Sequence, residues 1–420
     1  MNLMKLTFMP FFLKIKLMND TSLYINLDNL KNNINFIRLI KSAKNKTILA
    51  IIKSDAYGHG LVPSAETLFN AGIDFFGIIN ISEADAILKK IPQAKLLMLK
   101  GVYPEDLKEA AELNLRIGAF SLDYLKILLD KAKSAGIDKP LNIHIKYDSG
   151  MNRLGLNEKE IKSAADIIKE NKKYFNAEGL FSHLSSGGSD LNYTNFQIAN
   201  FKKAVSLFNK NGIKFLYVHI SASSALLNDK IEEDYSNAVR PGISLYGFNP
   251  NTNIDEPKYS AFLDSEKNDT AACALKPLMT LKSRILQIKK VKKGGYVSYD
   301  NTFKAPIDMN IAIVSAGYDN GIPRLMSNKG RVLINGKFAS IKGMVTMNLI
   351  MADVTKIQGI KAGDEVIIAG KSGANEITIQ EIARIAQTIP YEICLNFGKS
   401  NKRIFTPFSL IKKPAKKRAF

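Results

Sequence analysis

Residues 50–60 read Ala-Ile-Ile-Lys-Ser-Asp-Ala-Tyr-Gly-His-Gly: an apolar run ends in one lysine, Lys53, followed by a loop with Tyr57, Gly58 and Gly60. An ammonium at the end of a buried strand is costly unless it is paired or chemically used. The glycines let backbone and phenol approach a ligand closely. A lysine beside a phosphate-suited loop fits a Schiff base to pyridoxal phosphate. Taken alone, the segment fits a lysine snorkelling from a strand end equally well.

Other polar residues fall at the ends of apolar runs. Lys146, Asp148 and Arg153 stand in His-Ile-Lys-Tyr-Asp-Ser-Gly-Met-Asn-Arg-Leu-Gly, and His183 in Phe-Ser-His-Leu-Ser-Ser. His219 and Ser223 follow another run, and Arg240, Gly242 and Ile243 lie in Val-Arg-Pro-Gly-Ile-Ser-Leu-Tyr-Gly. Singly, each has a plain alternative: a satisfied structural histidine, an ion-paired arginine, or, for Tyr299 and Tyr318, a core tyrosine. Together they converge on the face where a barrel of parallel strands carries its active site.

The elements that must position them are short strands alternating with amphipathic helices. Strands are expected at 47–53, 75–79, 95–99, 115–119, 141–147, 179–183, 215–220 and 238–246. They are nearly continuous in apolar residues, as strands buried on both faces are. Ser82 with Asp85 reads as a capping box, Pro104 as a first-turn proline, and Ser121 as the cap of a helix ending before Gly136. A further helix is expected from Asn195 to Gly212. Eight such units in roughly 230 residues match a (β/α)8 TIM-like barrel, with an open doubly wound sheet as the alternative. After Pro250 a polar loop leads to strands at 278–290, 310–314, 331–334, 345–354 and 365–369, joined by glycine turns, with one helix capped by Thr378 and Glu381. The expected organisation is an N-terminal extension 1–20, a barrel 21–250, a linker 251–275, a mainly β C-terminal domain 276–410 and a basic tail 411–420.

Composition narrows the partners. The formal charge is +20, but the lysines are scattered and no aromatic residues interleave with the basic tail, which argues against nucleic acid. The apolar run from Leu6 to Leu13 is too short to span a membrane and lacks a cleavage site after it; it reads equally as an extension ahead of a true start at Met18. Two cysteines, Cys273 and Cys394, give no disulfide framework and favour a reducing, cytoplasmic setting, and the four histidines are spaced too widely for a metal motif.

From residue 21 to 405 the chain resembles the alanine racemases, pyridoxal phosphate enzymes of the barrel type. The motifs that carry this are Ile-Ile-Lys-Ser-Asp-Ala-Tyr-Gly-His-Gly, Asp-Ser-Gly-Met-Asn-Arg-Leu-Gly, Arg-Pro-Gly-Ile-Ser-Leu-Tyr-Gly, Leu-Lys-Ser-Arg-Ile, Val-Ser-Tyr, Ala-Gly-Tyr-Asp-Asn-Gly and Gly-Met-Val-Thr-Met-Asn, in that order. The resemblance implies that Lys53 holds the cofactor and exchanges the α-proton on one face, and that Tyr299 serves the other face. It implies that Tyr57, Ser223 and the backbone of Gly242 and Ile243 bind phosphate. Arg240 would face the pyridine nitrogen, supported by His219; Arg153 would meet the phenolic oxygen, and His183 would pack by the ring. Lys146 would carry a carbamate, Met347 would sit at the substrate carboxylate from the partner subunit, and Tyr318 at the entrance. The implied activity is interconversion of L- and D-alanine for peptidoglycan by a homodimer with shared sites; a broad-specificity small amino-acid racemase is the alternative. Ala222 replaces the family's usual asparagine, Met344 and Asn348 replace an arginine and an aspartate, and Lys399 replaces an aromatic.

Racemisation removes a proton on one face and returns it on the other, which asks for two acid/base groups. A phenol with an ordinary pKa near 10 needs cationic neighbours to act as a base at neutral pH. A non-catalytic cofactor-binding barrel would lack the β domain and the second-face tyrosine. A decarboxylase of the same architecture would want a carboxylate, not Arg240, at the pyridine nitrogen. A basic RNA- or membrane-associated protein remains a distant class, marked by salt-dependent retention.

Overall fold

The computed structural model describes residues 21–251, apart from 229, 232 and 233, and residues 275–407. The expected N-terminal extension 1–20, nearly all of the linker with Cys273, and the tail 411–420 lie outside the described residues. The described residues divide into two compact units, 25–251 with 275–278 and 405–407, and 21–24 with 279–404.

After a first strand, β1 (Ser22–Asn26), the larger unit runs through β2 (Thr47–Ile51), β3 (Phe75–Ile78), β4 (Lys95–Met98), β5 (Arg116–Ala119), β6 (Leu141–Lys146), β7 (Phe175–Phe181), β8 (Tyr217–His219) and β9 (Ala238–Val239). β2 to β9 form one sheet in the order β8-β7-β6-β5-β4-β3-β2-β9, with parallel pairings. Its two ends meet: Arg240 N–H donates to Ser221 O at 2.9 Å and Asn237 N–H to Val218 O at 3.1 Å. This is the TIM-like barrel expected from the apolar runs, whose strand residues are almost wholly buried because helices cover them outside. The helix Leu122–Ser134 shows the pattern: Ser121 accepts from Tyr124 N–H, and Leu125, Leu128, Leu129 and Ala132 are buried on one face.

Three expectations are corrected here. The run 238–246 is strand only over Ala238–Val239, because Pro241 lacks a donor and Ile243–Tyr246 winds into a 3₁₀ turn ended by Gly247 at φ +94°. The helix expected from Asn195 is Leu191–Lys210, capped by Asp190, whose carboxylate accepts from Tyr193 N–H. The helix read as capped by Ser82 is Ile81–Leu88; Asn80 stands at its cap without a side-chain bond, and Glu83 reaches back to Ile79 N–H instead.

The smaller unit is built on a nine-stranded sheet. Its strands are β1 together with β10 (Met279–Val291), β11 (Met309–Val314), β12 (Arg331–Ile334), β13 (Lys337–Ser340), β14 (Ile350–Asp353), β15 (Glu365–Ser372), β16 (Asn375–Ile377) and β17 (Lys402–Thr406). β10 is the organising strand, antiparallel to β11 at one end and β15 at the other. Val297, Ala305, Met309, Ile311 and Met351 form a core cluster. Thr378 caps the helix Ile379–Ile385 through Glu381 N–H, as expected. The run 345–354 is strand only over Ile350–Asp353, because Thr346 and Leu349 bond to each other and turn the chain. β1, β13, β16 and β17 are not among the strands expected from the sequence. Among the described residues no helix is long and apolar enough to cross a membrane.

Candidate active site

β2 ends at Ile51, so Lys53 stands beyond the strand rather than closing it. Ser54, Asp55, Ala56 and Tyr57 then take φ of 54°, 56°, 53° and 55°. This left-handed run costs L-residues about 1–2 kcal/mol each. External ties hold it. Ala56 N–H donates to Ile52 O at 2.8 Å, and the Asp55 carboxylate accepts from Leu61 N–H at 2.7 Å. The His59 ring bonds the carbonyls of Ala56 and Tyr57 and stacks on Tyr246 at 4.4 Å. From the next βα unit, Glu83 accepts from Asp55 N–H at 3.2 Å.

The turn brings Tyr57 to the loop after β9. A Cβ at Gly242 would stand 2.8 Å from the Tyr57 hydroxyl, so only glycine leaves that space open. Gly242 N–H donates to Ser223 Oγ at 2.9 Å and Ser244 N–H to the same oxygen at 3.2 Å. Tyr57, Ser223 and Gly242 are therefore one cradle, with Ile243 next in the chain, and Tyr246 ties it to β2 through Ile51 O at 3.1 Å.

Arg240 is buried at the same strand ends. Its Nη2 donates to Ser182 O at 2.6 Å and Ile220 O at 2.8 Å and lies 3.3 Å from His183 Nδ1, while Nη1 donates to His219 Nδ1 at 2.8 Å. Because a guanidinium only donates, His219 Nδ1 must accept and its Nε2 carries the proton. Nε2 meets His144 Nδ1 at 3.0 Å, so His144 in turn donates from Nε2 to Glu178 Oε2 at 3.2 Å. Glu178 also takes two bonds from Arg116, at 3.0 and 3.3 Å. A single direction of donation thus runs from Arg240 through two neutral histidines to a carboxylate. Gly179 makes room for it: a Cβ there would stand 2.2 Å from His144 Nδ1.

Positive charge dominates the strand ends. Burial, then Arg153 and Arg240, hold the Lys53 ammonium below its usual value, against Glu83, which acts in the opposite sense. Burial and the two arginines bring Lys146 down to about 8, with Asp148 opposing. Burial, followed by Arg240, Arg153 and the two lysines, brings His183 down to about 3. Arg153 itself is exposed, with no ion pair among the described residues.

The other expected site residues lie in the smaller unit and share one loop cluster. Tyr318 N–H donates to Thr346 O at 3.0 Å and Asp319 N–H to Met347 O at 2.9 Å, an approach that a Cβ at Gly317 would block at 2.2 Å from Thr346 O. Ser298, at φ +68°, donates its hydroxyl to Met344 O at 2.8 Å and so brings Tyr299 beside the same loop. Tyr299 is 69% exposed, Met347 55% and Tyr318 44%, so none of the three is a core residue.

Residues 25–250 match the family described as alanine racemase, N-terminal domain, and residues 278–405 match alanine racemase, C-terminal domain. The chain belongs to the alanine racemase family. It is an isomerase of that family. An alanine racemase of Syntrophobacter fumaroxidans is 34% identical over 364 residues, 86% of this chain and 92% of that protein. Alanine racemase 1 of Clostridium acetobutylicum is 34% identical over 384 residues, 91% and 94% of the two chains. Among solved structures, the Bacillus anthracis alanine racemase with bound L-Ala-P superposes with TM-score 0.81 at 28% identity, over 92% of this chain and 95% of that one. The Bartonella henselae alanine racemase with covalently bound pyridoxal phosphate does so with TM-score 0.78 at 25% identity, over 92% and 100%.

The residues present fit such a cofactor. The cradle kept open at Gly242 has backbone and hydroxyl groups suited to a phosphate, and the cationic surplus around Lys53 calls for an anion. Among the described residues there is no His, Cys, Asp and Glu grouping that could hold a metal. His144, Glu178 and Glu83 were missed by sequence reasoning. A glutamate inside the strand Phe-Asn-Ala-Glu-Gly-Leu-Phe, and a histidine two places before Lys146 on the same strand face, were available signals. Glu83 had none, since an acid in a first helical turn reads as a cap.

The three barrel histidines His144, His183 and His219 are all held below their usual value, chiefly by burial. Each is neutral in the fold, so the unfolded chain binds more protons below about pH 6.5. Their stabilisation is complete above that pH and is lost as pH falls below it, for His183 down to about 3. Thermal unfolding of the purified protein should therefore show a midpoint that declines from pH 7 to 4. His183→Gln should flatten that decline, reducing by roughly one the protons taken up on unfolding.

Proposed function

We propose that this chain interconverts L- and D-alanine with pyridoxal phosphate, in the cytoplasm, and so supplies D-alanine for peptidoglycan. The observation that carries the reading is the pairing of a half-buried Lys53, its ammonium held below the usual lysine value, with the adjoining Tyr57–Gly242 cradle, in a chain of this family. Lys53 would hold the cofactor covalently; Tyr57, Ser223, Gly242 and Ile243 would hold its phosphate, Arg153 its phenolic oxygen and Arg240 its ring nitrogen, with His183 beside the ring. When bound, the cofactor acidifies the amino acid Cα–H by delocalising the charge left behind.

The chain's own groups then move the proton. Lys53, with its ammonium held low, takes or gives it at Cα on one face, and Tyr299 does so on the other. Arg240 cannot become an acceptor, because its guanidinium keeps its protons. A ring nitrogen placed against it would accept a hydrogen bond without being protonated, which would restrain the side reaction of transamination. Met347 would border the substrate carboxylate and Tyr318 the entrance, which favours small amino acids.

In deuterium oxide, the wild-type enzyme should exchange the α-proton of both alanine enantiomers, Tyr299→Phe of one only, and Lys53→Ala of neither. Expression in a D-alanine-requiring bacterium should restore growth, and Lys53→Ala should not. Exchange of both enantiomers by Tyr299→Phe at the wild-type rate would remove Tyr299 from the mechanism.

The exposure of Tyr299 and Met347 supports a homodimer in which each barrel is completed by the partner subunit's Tyr299. Mixing Lys53→Ala with Tyr299→Phe tests this. Half of randomly paired dimers are mixed, and one of their two sites carries neither defect, so activity should recover to about a quarter of wild type. A tyrosine acting within its own chain gives no recovery.

Lys146, buried and brought down to about 8, presents more neutral amine to carbon dioxide than an ordinary lysine does. A carbamate there would turn a cation beside Arg153 and Arg240 into an anion. Labelling with carbon-13 bicarbonate should give one carbamate resonance that Lys146→Ala abolishes; its absence from active enzyme rules the modification out.

A further inference from the structure

Glu83 belongs to none of the motifs above, yet it is the acid that meets the strained turn. It sits in the first turn of the helix Ile81–Leu88 and is only 8% exposed. Its two oxygens are divided between two backbone donors, Asp55 N–H at 3.2 Å and Ile79 N–H at 3.0 Å. Both oxygens act as acceptors, so the side chain joins two backbone segments that are not neighbours in the chain. One bond goes to the strand end of β3, and the other to the second residue after Lys53, inside the left-handed run. The turn is intrinsically unfavourable, and this bond reaches it from outside its own βα unit.

We propose that Glu83 is a positioning residue for Lys53: clamped between Asp55 and Ile79, its carboxylate fixes the left-handed turn and sets a negative charge against the cations that surround the amine.

Those cations are Arg153, on the loop after β6, Lys146 at the end of β6, and Arg240 after β9. Asp148, the other nearby acid, acts on Lys146. Without Glu83 the amine faces positive groups on every side that the strand ends supply. The charge also has a geometric reason. Glutamine would keep one acceptor but turn an NH₂ toward one of the two N–H groups, leaving a buried donor opposed by a donor. Glu83 therefore does two things at once: it holds the shape of the turn and offsets part of the positive charge around the amine. The inference rests on the reading of Lys53 as the amine that holds the cofactor.

Two arms keep that reading and the inference apart. In the first, the full-length protein loaded with pyridoxal phosphate is reduced with borohydride, and peptide mass spectrometry locates the pyridoxyl group. An adduct on a lysine other than Lys53 overturns the reading of Lys53. In the second, the full-length protein without cofactor is pulse-labelled with acetic anhydride across a pH series, which gives the titration midpoint of Lys53 whatever its role. Removing a fixed negative charge should lower that midpoint in Glu83→Gln by roughly half a unit or more. A clamp that matters only for shape predicts the reverse, because a loosened turn exposes Lys53 to water and raises the midpoint toward an ordinary lysine. An unchanged or raised midpoint in Glu83→Gln overturns the proposal. Glu83→Asp, which keeps the charge, should label as wild type does. If Glu83→Gln fails to fold, a midpoint lowered in Glu83→Asp as far as expected for charge removal overturns the proposal in its place.

Discussion

A guanidinium buried among strand ends needs acceptors that do not move, and Arg240 obtains them from the barrel wall. Its backbone N–H closes the sheet onto Ser221, and its side chain takes two carbonyls and two histidines. Because Arg240 can only donate and Glu178 can only accept, every proton between them has one allowed position. The register shift between β6 and β7, the empty Cβ position of Gly179 and the stacking of Phe181 on His219 at 5.2 Å all serve that line of bonds. Losing either end would strand a buried charge or donor, a cost of about 3–5 kcal/mol for a broken buried pair.

The same cation sets the electrical character of the site. Arg240, Arg153 and two lysines share a small space, with Glu83 and Asp148 as the acids acting on them. Such crowding is unfavourable to the fold by itself. It is tolerated where an anion belongs, and it keeps Lys53 and Lys146 closer to their neutral, reactive forms than a surface lysine. The left-handed turn after Lys53 is a second local cost, borne by Asp55, His59 and Glu83. Strain and charge concentrated at one point, with a well-packed barrel around them, are how a rigid scaffold carries a reactive centre.

The smaller unit contributes differently. Tyr299, Tyr318 and Met347 are large side chains left on the surface while the backbone beneath them is fixed by close approaches at Gly317 and Gly343. Exposed aromatic and thioether groups on rigid loops suit recognition of another surface better than packing within their own unit. Met344 and Asn348, where the sequence departs from the family's pattern, fall in this same loop.

What the amino-acid order by itself determined was the chemistry and the scaffold: a lysine before Tyr-Gly-His-Gly, apolar strands at regular spacing, and the succession of polar groups at their ends. Those are properties of neighbouring residues, governed by burial and local backbone preference, and they survive without knowledge of the partner strand. Only the tertiary structure decided that Lys53 leads into a left-handed turn rather than ending a strand, that residues after Val239 leave the sheet, that His144 finds Glu178, and that Glu83 turns from its helix to Asp55. Each of these depends on handedness or on register between segments far apart in the chain. A bond such as Glu83 to Asp55 is worth little as a local preference, and it forms because packing of one βα unit on the next brings its ends within 3.2 Å.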